Sequence, residues 1–416
     1  MTRAPDLPAL TPHDAARGFE QGPIRPPSEA RSLLVRVIRN CTWNRCTFCP
    51  VYKGTKASQR TLEDVLADID AMAACAEVLR TRGVAAVRGG ELPPEAYQVA
   101  LFLHDGGRTA FLQDADPCAV SPDKLAAVIR RVKQRFPSVA RVTTYGRART
   151  LARRTPEQLA LLRDAGLTRV HLGLESGCDE VLRAVDKGVT ADELIEAGVK
   201  VREAGMQLCF YVMPGLGGRE EAACAAHVAG TACVIRAVAG AASGSAAVGI
   251  GVGREGVAAE QRRDTGVVEE TNPLVVRLRT AAVVPGTPLA ERAAAGDFEL
   301  PDDVEVVREL RALLEQVGDA RFELRSDHAL NLLPELEGSL PADRGRLIAL
   351  LDEYLALPPT EQALFAVGAR LGLFRRLADL RDPQSRAALG AQLAGYRQPT
   401  PDELLAAARD LRARFI

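Results

Sequence analysis

Cys41, Cys46 and Cys49 fall within one short segment, Cys-Thr-Trp-Asn-Arg-Cys-Thr-Phe-Cys, of a 416-residue chain that holds nine cysteines in all. Thiolate is the soft ligand that iron–sulfur clusters use. Three thiolates on one loop can hold three irons of a 4Fe-4S cube and leave the fourth open, which is a place for chemistry. A plain electron carrier would close that position with a fourth cysteine. Two other readings stand beside this one. A structural zinc site wants four nitrogen or sulfur ligands, often as separated Cys-x-x-Cys pairs; only Cys46 and Cys49 form such a pair, and the five histidines lie well away in sequence. Three unligated thiols in a loop is the third. Of the remaining cysteines, Cys75, Cys118, Cys178, Cys209, Cys224 and Cys233, only the last two lie near each other. They are expected to be buried small hydrophobes and not a second cluster array.

The loop follows an apolar run, Leu33–Arg39, that reads as a buried strand. Further strand-like runs are Thr109–Gln113, Arg141–Tyr145, Arg169–Gly173, Gln207–Met213 and Leu274–Thr280. Helical patterns lie between them at 61–81, 122–136, 156–165, 191–204 and 220–239. Ser121-Pro122 and Thr155-Pro156 each place proline at a first helical position behind a capping hydroxyl. Alternation of this kind predicts an α/β fold with a parallel sheet and right-handed crossovers, and six units suit a partial (β/α)6 barrel. Ligands of such folds bind at the carboxyl ends of the strands, so the cysteine loop is expected on the active rim. Residues 1–30 read as an extended arm, 31–290 as the core barrel and 291–416 as a helical C-terminal subdomain. Within the core, 237–270 is rich in alanine and glycine and reads as an insertion on the rim.

Lys plus Arg (53) and Asp plus Glu (54) nearly cancel, so no net field favours nucleic acid or an anionic membrane. No uninterrupted apolar run of bilayer-spanning length stands out, and the first residues lack a signal peptide's apolar core. A cytoplasmic protein is expected, and an odd number of cysteines argues against a disulfide framework there.

Several segments together resemble the radical S-adenosylmethionine (SAM) enzymes. Beyond the cysteine loop and Pro50-Val-Tyr-Lys-Gly54, they are Phe111-Leu-Gln-Asp-Ala-Asp-Pro117, His171-Leu-Gly-Leu-Glu-Ser-Gly177 and Tyr211-Val-Met-Pro-Gly-Leu-Gly-Gly218. The first cysteine gap has four residues where the family usually has three, a context similar to a branch related to coproporphyrinogen-oxidase-like and elongator-like members. The resemblance covers about residues 30–290. It implies that Cys41, Cys46 and Cys49 ligate a 4Fe-4S cluster, that SAM chelates the open iron, and that an electron from a reductant such as flavodoxin or ferredoxin cleaves SAM to a 5′-deoxyadenosyl radical. It further implies that Phe48 packs near adenine. Gln113, Asp114 and Asp116 would receive the SAM ammonium, and Glu175 and Ser176 would contact ribose and methionine. Pro214 and Gly215 would bring backbone to adenine, and Tyr145 and Arg147 stand as rim candidates for the SAM carboxylate or the substrate. The string Ser326-Asp-His-Ala-Leu-Asn331 resembles one that follows the core in the related branch, which makes His328 and Asn331 substrate-side candidates. Each of these residues also has a plain structural reading, as a core aromatic, cap, turn or interdomain contact. The rival from another class is a non-catalytic iron–sulfur or zinc protein, serving as an electron carrier or an RNA-binding scaffold. The substrate is a small molecule that the sequence does not identify.

Overall fold

The computed structural model describes residues 7, 9–241, 273–394, 399–412 and 414. Most of the 237–270 insertion therefore lies outside the described residues. Its start does not: residues 237–241 finish the helix Glu221–Ala241.

The main sheet runs β1 (Leu33–Arg36), β4 (Thr109–Gln113), β5 (Arg141–Gly146), β6 (Leu167–Glu175), β7 (Gln207–Val212), β8 (Leu274–Leu278), β9 (Phe322–Arg325) and β10 (Gly338–Leu340). All neighbours are parallel except the final pair, β9 with β10. The first six match the six runs read from the sequence. Helices occupy the crossovers, and five more (Asp303–Gln316, Arg344–Leu355, Pro359–Arg370, Pro383–Leu393 and Pro401–Arg412) make the C-terminal region mostly helical. The fold is thus α/β, an open parallel sheet with a helical C-terminal region. It departs from the sequence reading in two short strands, β9 and β10, which extend the sheet beyond residue 290. Runs of four and three residues are too short to carry a legible period. A small ribbon, β2 (Ile38–Arg39) antiparallel to β3 (Ser58–Gln59), pinches the two ends of the cysteine loop together.

The helix starts are written in the sequence. Thr155 and Thr190 form full capping boxes, with Gln158 and Glu193 reaching back to the cap N–H. Alternation divides each strand between two faces. Leu112, Val142, Val170, Leu172, Leu208, Phe210 and Val276 face the helices in one continuous core. The opposite face carries a stack of rings, Phe111, Tyr145, His171 and Tyr211, with centroids 5.0–6.0 Å apart.

The helix Glu221–Ala241 corrects the expectation about apolar length. Its residues Glu221–Gly240 are long and apolar enough to cross a membrane, with a mean hydropathy of 1.5. Here the helix packs against Ala191–Glu203 and Asp303–Gln316, the arrangement of a core helix.

The N-terminal arm packs on the core. Thr11 caps the helix Pro12–Ala16, Ala15 and Phe19 are buried, and Gln113 holds the arm by accepting from the Gly22 N–H and donating to the Gly22 and Ile24 carbonyls. The arm ends with Glu29 wholly buried on the ring-bearing face, 3.3 Å from Arg141, accepting from the Ser32 hydroxyl and 3.7 Å from His171. Burial opposes the Glu29 charge, but Arg141, His171 and Ser32 outweigh it and hold its pKa at about 2. Burial also pushes His171 down to about 4, against the pull of Glu29, so the imidazole is neutral at pH 7. Breaking a buried pair leaves an uncompensated charge. Glu29→Gln is expected to lower unfolding stability by about 3 kcal/mol, measured by urea denaturation. Because the Glu29 pKa is depressed in the fold, that contribution is complete above pH 4.5 and fades as pH falls towards 2.

Candidate metal and cofactor site

Parallel strands end on one side, so the segments after β1, β6, β7 and β8 meet there. The cysteine loop is docked on the segment after β6. The Trp43 indole N–H donates to the Asp186 carbonyl at 2.6 Å, the Thr47 N–H to the Val185 carbonyl at 2.9 Å, and Arg45 pairs with Asp186 at 3.0 Å. Trp43 lies so close to Gly188 that a Cβ there would sit 2.3 Å from the ring, and Gly188 holds φ +69°. On the other side the Leu289 N–H donates to the Thr47 carbonyl at 3.1 Å. The longer first gap is absorbed by a turn at Asn44, with φ +48°, a conformation asparagine tolerates. The Asn44 backbone N–H points at the Cys41 sulfur (3.4 Å), and its side chain ties to the Tyr52 and Thr55 carbonyls.

Cys41, Cys46 and Cys49 are all free and half-buried. Among the described residues, no three His, Cys, Asp or Glu side chains converge to hold a metal ion. The donor set itself fits a cluster: three soft thiols on one loop, with Cys46, Phe48 and Cys49 against an apolar wall of Met213, Leu216, Ala281, Leu289 and Leu300. Burial pushes the Cys46 thiol up, and the Lys187 ammonium opposes that. Lys187, which sequence reading missed, also bonds Glu175 at 2.9 Å and lies 6.0 Å from the Phe48 ring. Burial works against its charge, yet Glu175 and Cys46 together raise its pKa. No local pattern around Asp186-Lys187-Gly188 marks it.

Glu175 sits at a register shift in β6 with φ +57°, rare for a residue with a side chain. Such backbone costs of order 1–3 kcal/mol and marks functional ground. Ser176 heads a buried relay that the sequence did not disclose. Its hydroxyl is 2.8 Å from His227 Nδ1, His227 Nε2 is 3.2 Å from Glu309, and Glu309 accepts from the Gly215 N–H at 2.9 Å. Two glycines make the contact possible: a Cβ on Gly177 would lie 2.2 Å from the Gly230 carbonyl. Pro214 accepts from the Ala281 N–H, so both Pro214 and Gly215 are fixed against the neighbouring elements.

The other candidates have partners of their own. Asp114 accepts from Arg36 and from the Asn40 N–H, and leaves its Oδ1 buried without a partner. Asp116 accepts from Thr42, Thr150 and the Arg147 N–H. Burial raises the pKa of both carboxyls. Gln113 is taken up by the arm. Arg147 lies over Trp43 at 5.0 Å, and Tyr145 belongs to the ring stack. Asn331 accepts from Thr280 and donates to the Leu278 carbonyl, stapling the end of β8, whereas His328 is half-buried near Arg279 and Arg277. Of the other cysteines, Cys75, Cys118, Cys178 and Cys209 are buried as expected; Cys224 is half-buried and Cys233 exposed, contrary to that reading.

Trp43 is the chain's single tryptophan, so its emission reports on the docked loop. Gly188→Ala is expected to shift that emission to the red and to cost about 1–3 kcal/mol in urea unfolding. Unchanged emission would mean the loop does not rest on Gly188. Glu309→Ala strands the Gly215 N–H, and faster hydrogen exchange there is the expected readout.

Residues 35–228 match the family model described as the radical SAM superfamily. No curated protein matches the chain. Solved structures to which the chain is similar include coproporphyrinogen III oxidase from Escherichia coli (16% identity over 69% of this chain and 52% of that one, TM-score 0.39). Another is Elp3 from the archaeon Methanocaldococcus infernus (12%, 55% and 50%, TM-score 0.36), and a third is the cobalamin-dependent SAM radical enzyme OxsB (13%, 92% and 54%, TM-score 0.44). The chain spans about half the length of each of these three. Residues 35–228 of this chain thus form a radical SAM domain.

Proposed function

We propose that the chain is a radical SAM enzyme with one 4Fe-4S cluster held by Cys41, Cys46 and Cys49, acting on a small molecule not yet identified. The observation that carries this reading is the cysteine loop itself: three half-buried thiols on the strand-end rim, packed against the segments after β6 and β7. Held by these three cysteines, a cluster would supply one-electron chemistry for reductive cleavage of the sulfonium C–S bond of SAM to methionine and a 5′-deoxyadenosyl radical, which would take a hydrogen from substrate.

The chain's own part is to bind, orient and exclude water. Phe48 and its apolar neighbours offer a dry wall for adenine, with Pro214 and the fixed backbone at Gly215 beside it. Lys187 offsets thiolate charge at Cys46 and holds the Glu175 carboxylate in place for ribose hydroxyls. Ser176, steadied by His227, faces the same segment. Asp114 and Asp116 supply acceptors for the SAM ammonium, and the unpartnered Oδ1 of Asp114 is the freer of them. Gln113 contributes by pinning the arm beneath that position. Arg147 suits a carboxylate bidentately. Tyr145 and His328 stand on the substrate side, and Asn331 shapes the wall next to them. A flavodoxin or ferredoxin would deliver the electron, and the setting would be cytoplasmic.

The test is anaerobic reconstitution with iron and sulfide, reduction, and measurement of 5′-deoxyadenosine formed from SAM. The wild type is expected to form it. Cys41→Ala, Cys46→Ala and Cys49→Ala are each expected to lose at least about 100-fold, since the ligand set fails as a unit. Full turnover by Cys46→Ala would overturn the ligand assignment, and stoichiometric zinc with no product would favour the non-catalytic reading.

A further inference from the structure

The ring-bearing face of the sheet carries an unusual set of cations. Val275, Arg277 and Arg279 alternate onto it from β8 and its continuation, where the Arg279 N–H still donates to the Val212 carbonyl at 2.9 Å. Arg277 is committed to Ser28 and Asp327, both at 2.9 Å. Arg279, one step nearer the strand-end rim, differs. Among the described residues its guanidinium makes no ion pair and no hydrogen bond, although its Nε is sealed from solvent. Tyr145 packs with Val275 on this same face, and the Arg279 charge acts on both Tyr145 and His328. Sealing the Nε of an unpaired, half-buried guanidinium from water costs free energy that pairing would recover. Nearby arginines recover it: Arg141 with Glu29, Arg36 with Asp114, Arg370 with Asp303. Stability given up at one position of an otherwise satisfied set is the signature of a group reserved for a ligand.

We propose that Arg279 is a substrate-binding residue that receives an anionic oxygen group, a carboxylate or a phosphate, at the rim beside Tyr145 and His328. The planar fork of arginine binds either group through two parallel N–H···O contacts. This deepens the proposed function and rests on it for the word substrate; the anion site itself does not depend on it. The mouth thereby selects acidic small molecules over neutral ones, a choice that the chain's near-zero net charge does not betray.

Thermal unfolding of the full chain tests this without needing cluster or turnover. The probes are malonate and inorganic phosphate, each against sodium chloride of equal ionic strength. The proteins are the wild type, Arg279→Gln, Arg279→Lys and the exposed control Arg80→Gln. Without anion, Arg279→Gln is expected to melt no lower than the wild type, because it removes an unpaired charge. At least one anion should raise the wild-type melting temperature beyond its chloride control. Arg279→Gln should weaken that anion about tenfold, Arg279→Lys less, and Arg80→Gln not at all. Whichever arm responds separates carboxylate from phosphate. A melting temperature several degrees lower for Arg279→Gln alone would show a structural partner and overturn the proposal. So would equal anion responses in wild type and Arg279→Gln, or no response in either. A loss confined to SAM affinity would assign the guanidinium to the SAM carboxylate, which also overturns it. Failure of SAM cleavage with the anion response intact would count against the proposed function alone.

Discussion

Three thiols can act on one metal centre only if the loop that carries them holds a single shape, and here that shape depends on Trp43 lying against Gly188. The loop has little secondary structure of its own beyond the two-residue ribbon of β2 and β3. Its order is borrowed from the segment after β6 through Trp43, Thr47 and Arg45, and from Leu289 on the far side. Parallel strands make this possible, because their carboxyl ends gather distant segments on one rim. The same segment that receives the loop also places Lys187 next to Cys46 and Glu175, so docking and local electrostatics are fixed together.

Polar groups inside the fold divide into those that are satisfied and those that are not. The relay from Ser176 through His227 and Glu309 to Gly215 joins the segments after β6 and β7 to the helix Asp303–Gln316. It holds rim backbone from behind, as a supporting shell does for groups that must keep a fixed geometry. Glu29 does comparable work at the arm's end by neutralising Arg141. Among the buried atoms without a hydrogen-bond partner are the Asp114 Oδ1 and the Arg279 Nε. Both lie by strand ends, where stability and function compete.

The sheet's first six strands were legible because β-branched runs alternated with helical patterns, several of them opened by capping hydroxyls and proline. β9 and β10 were not, since three or four residues show no period and their pairing is set by tertiary contact. The arm read only as extended, because Pro and polar composition says nothing about Glu29 being carried under the sheet. The cysteines were singled out from type and spacing, and Glu175 and Ser176 from the family resemblance of the segment His171–Gly177. Lys187 and His227 were not, because each acts from a helix or turn with no local mark. Arg277 and Arg279 did leave a signal: arginines at alternate positions of a strand otherwise buried on both faces. Asn331 shows the reverse case, a residue singled out for substrate whose amide is spent on the Leu278 carbonyl and Thr280.

The central claim is that Cys41, Cys46 and Cys49 hold a cluster whose remaining iron is free. Mössbauer spectroscopy of the iron-57-loaded, oxygen-protected protein, before and after SAM, tests it most directly. The account predicts about four irons per chain, about one of which changes its signal when SAM is added while the other three stay put. A spectrum indifferent to SAM, or a protein that takes up zinc in place of iron and sulfide, would contradict it.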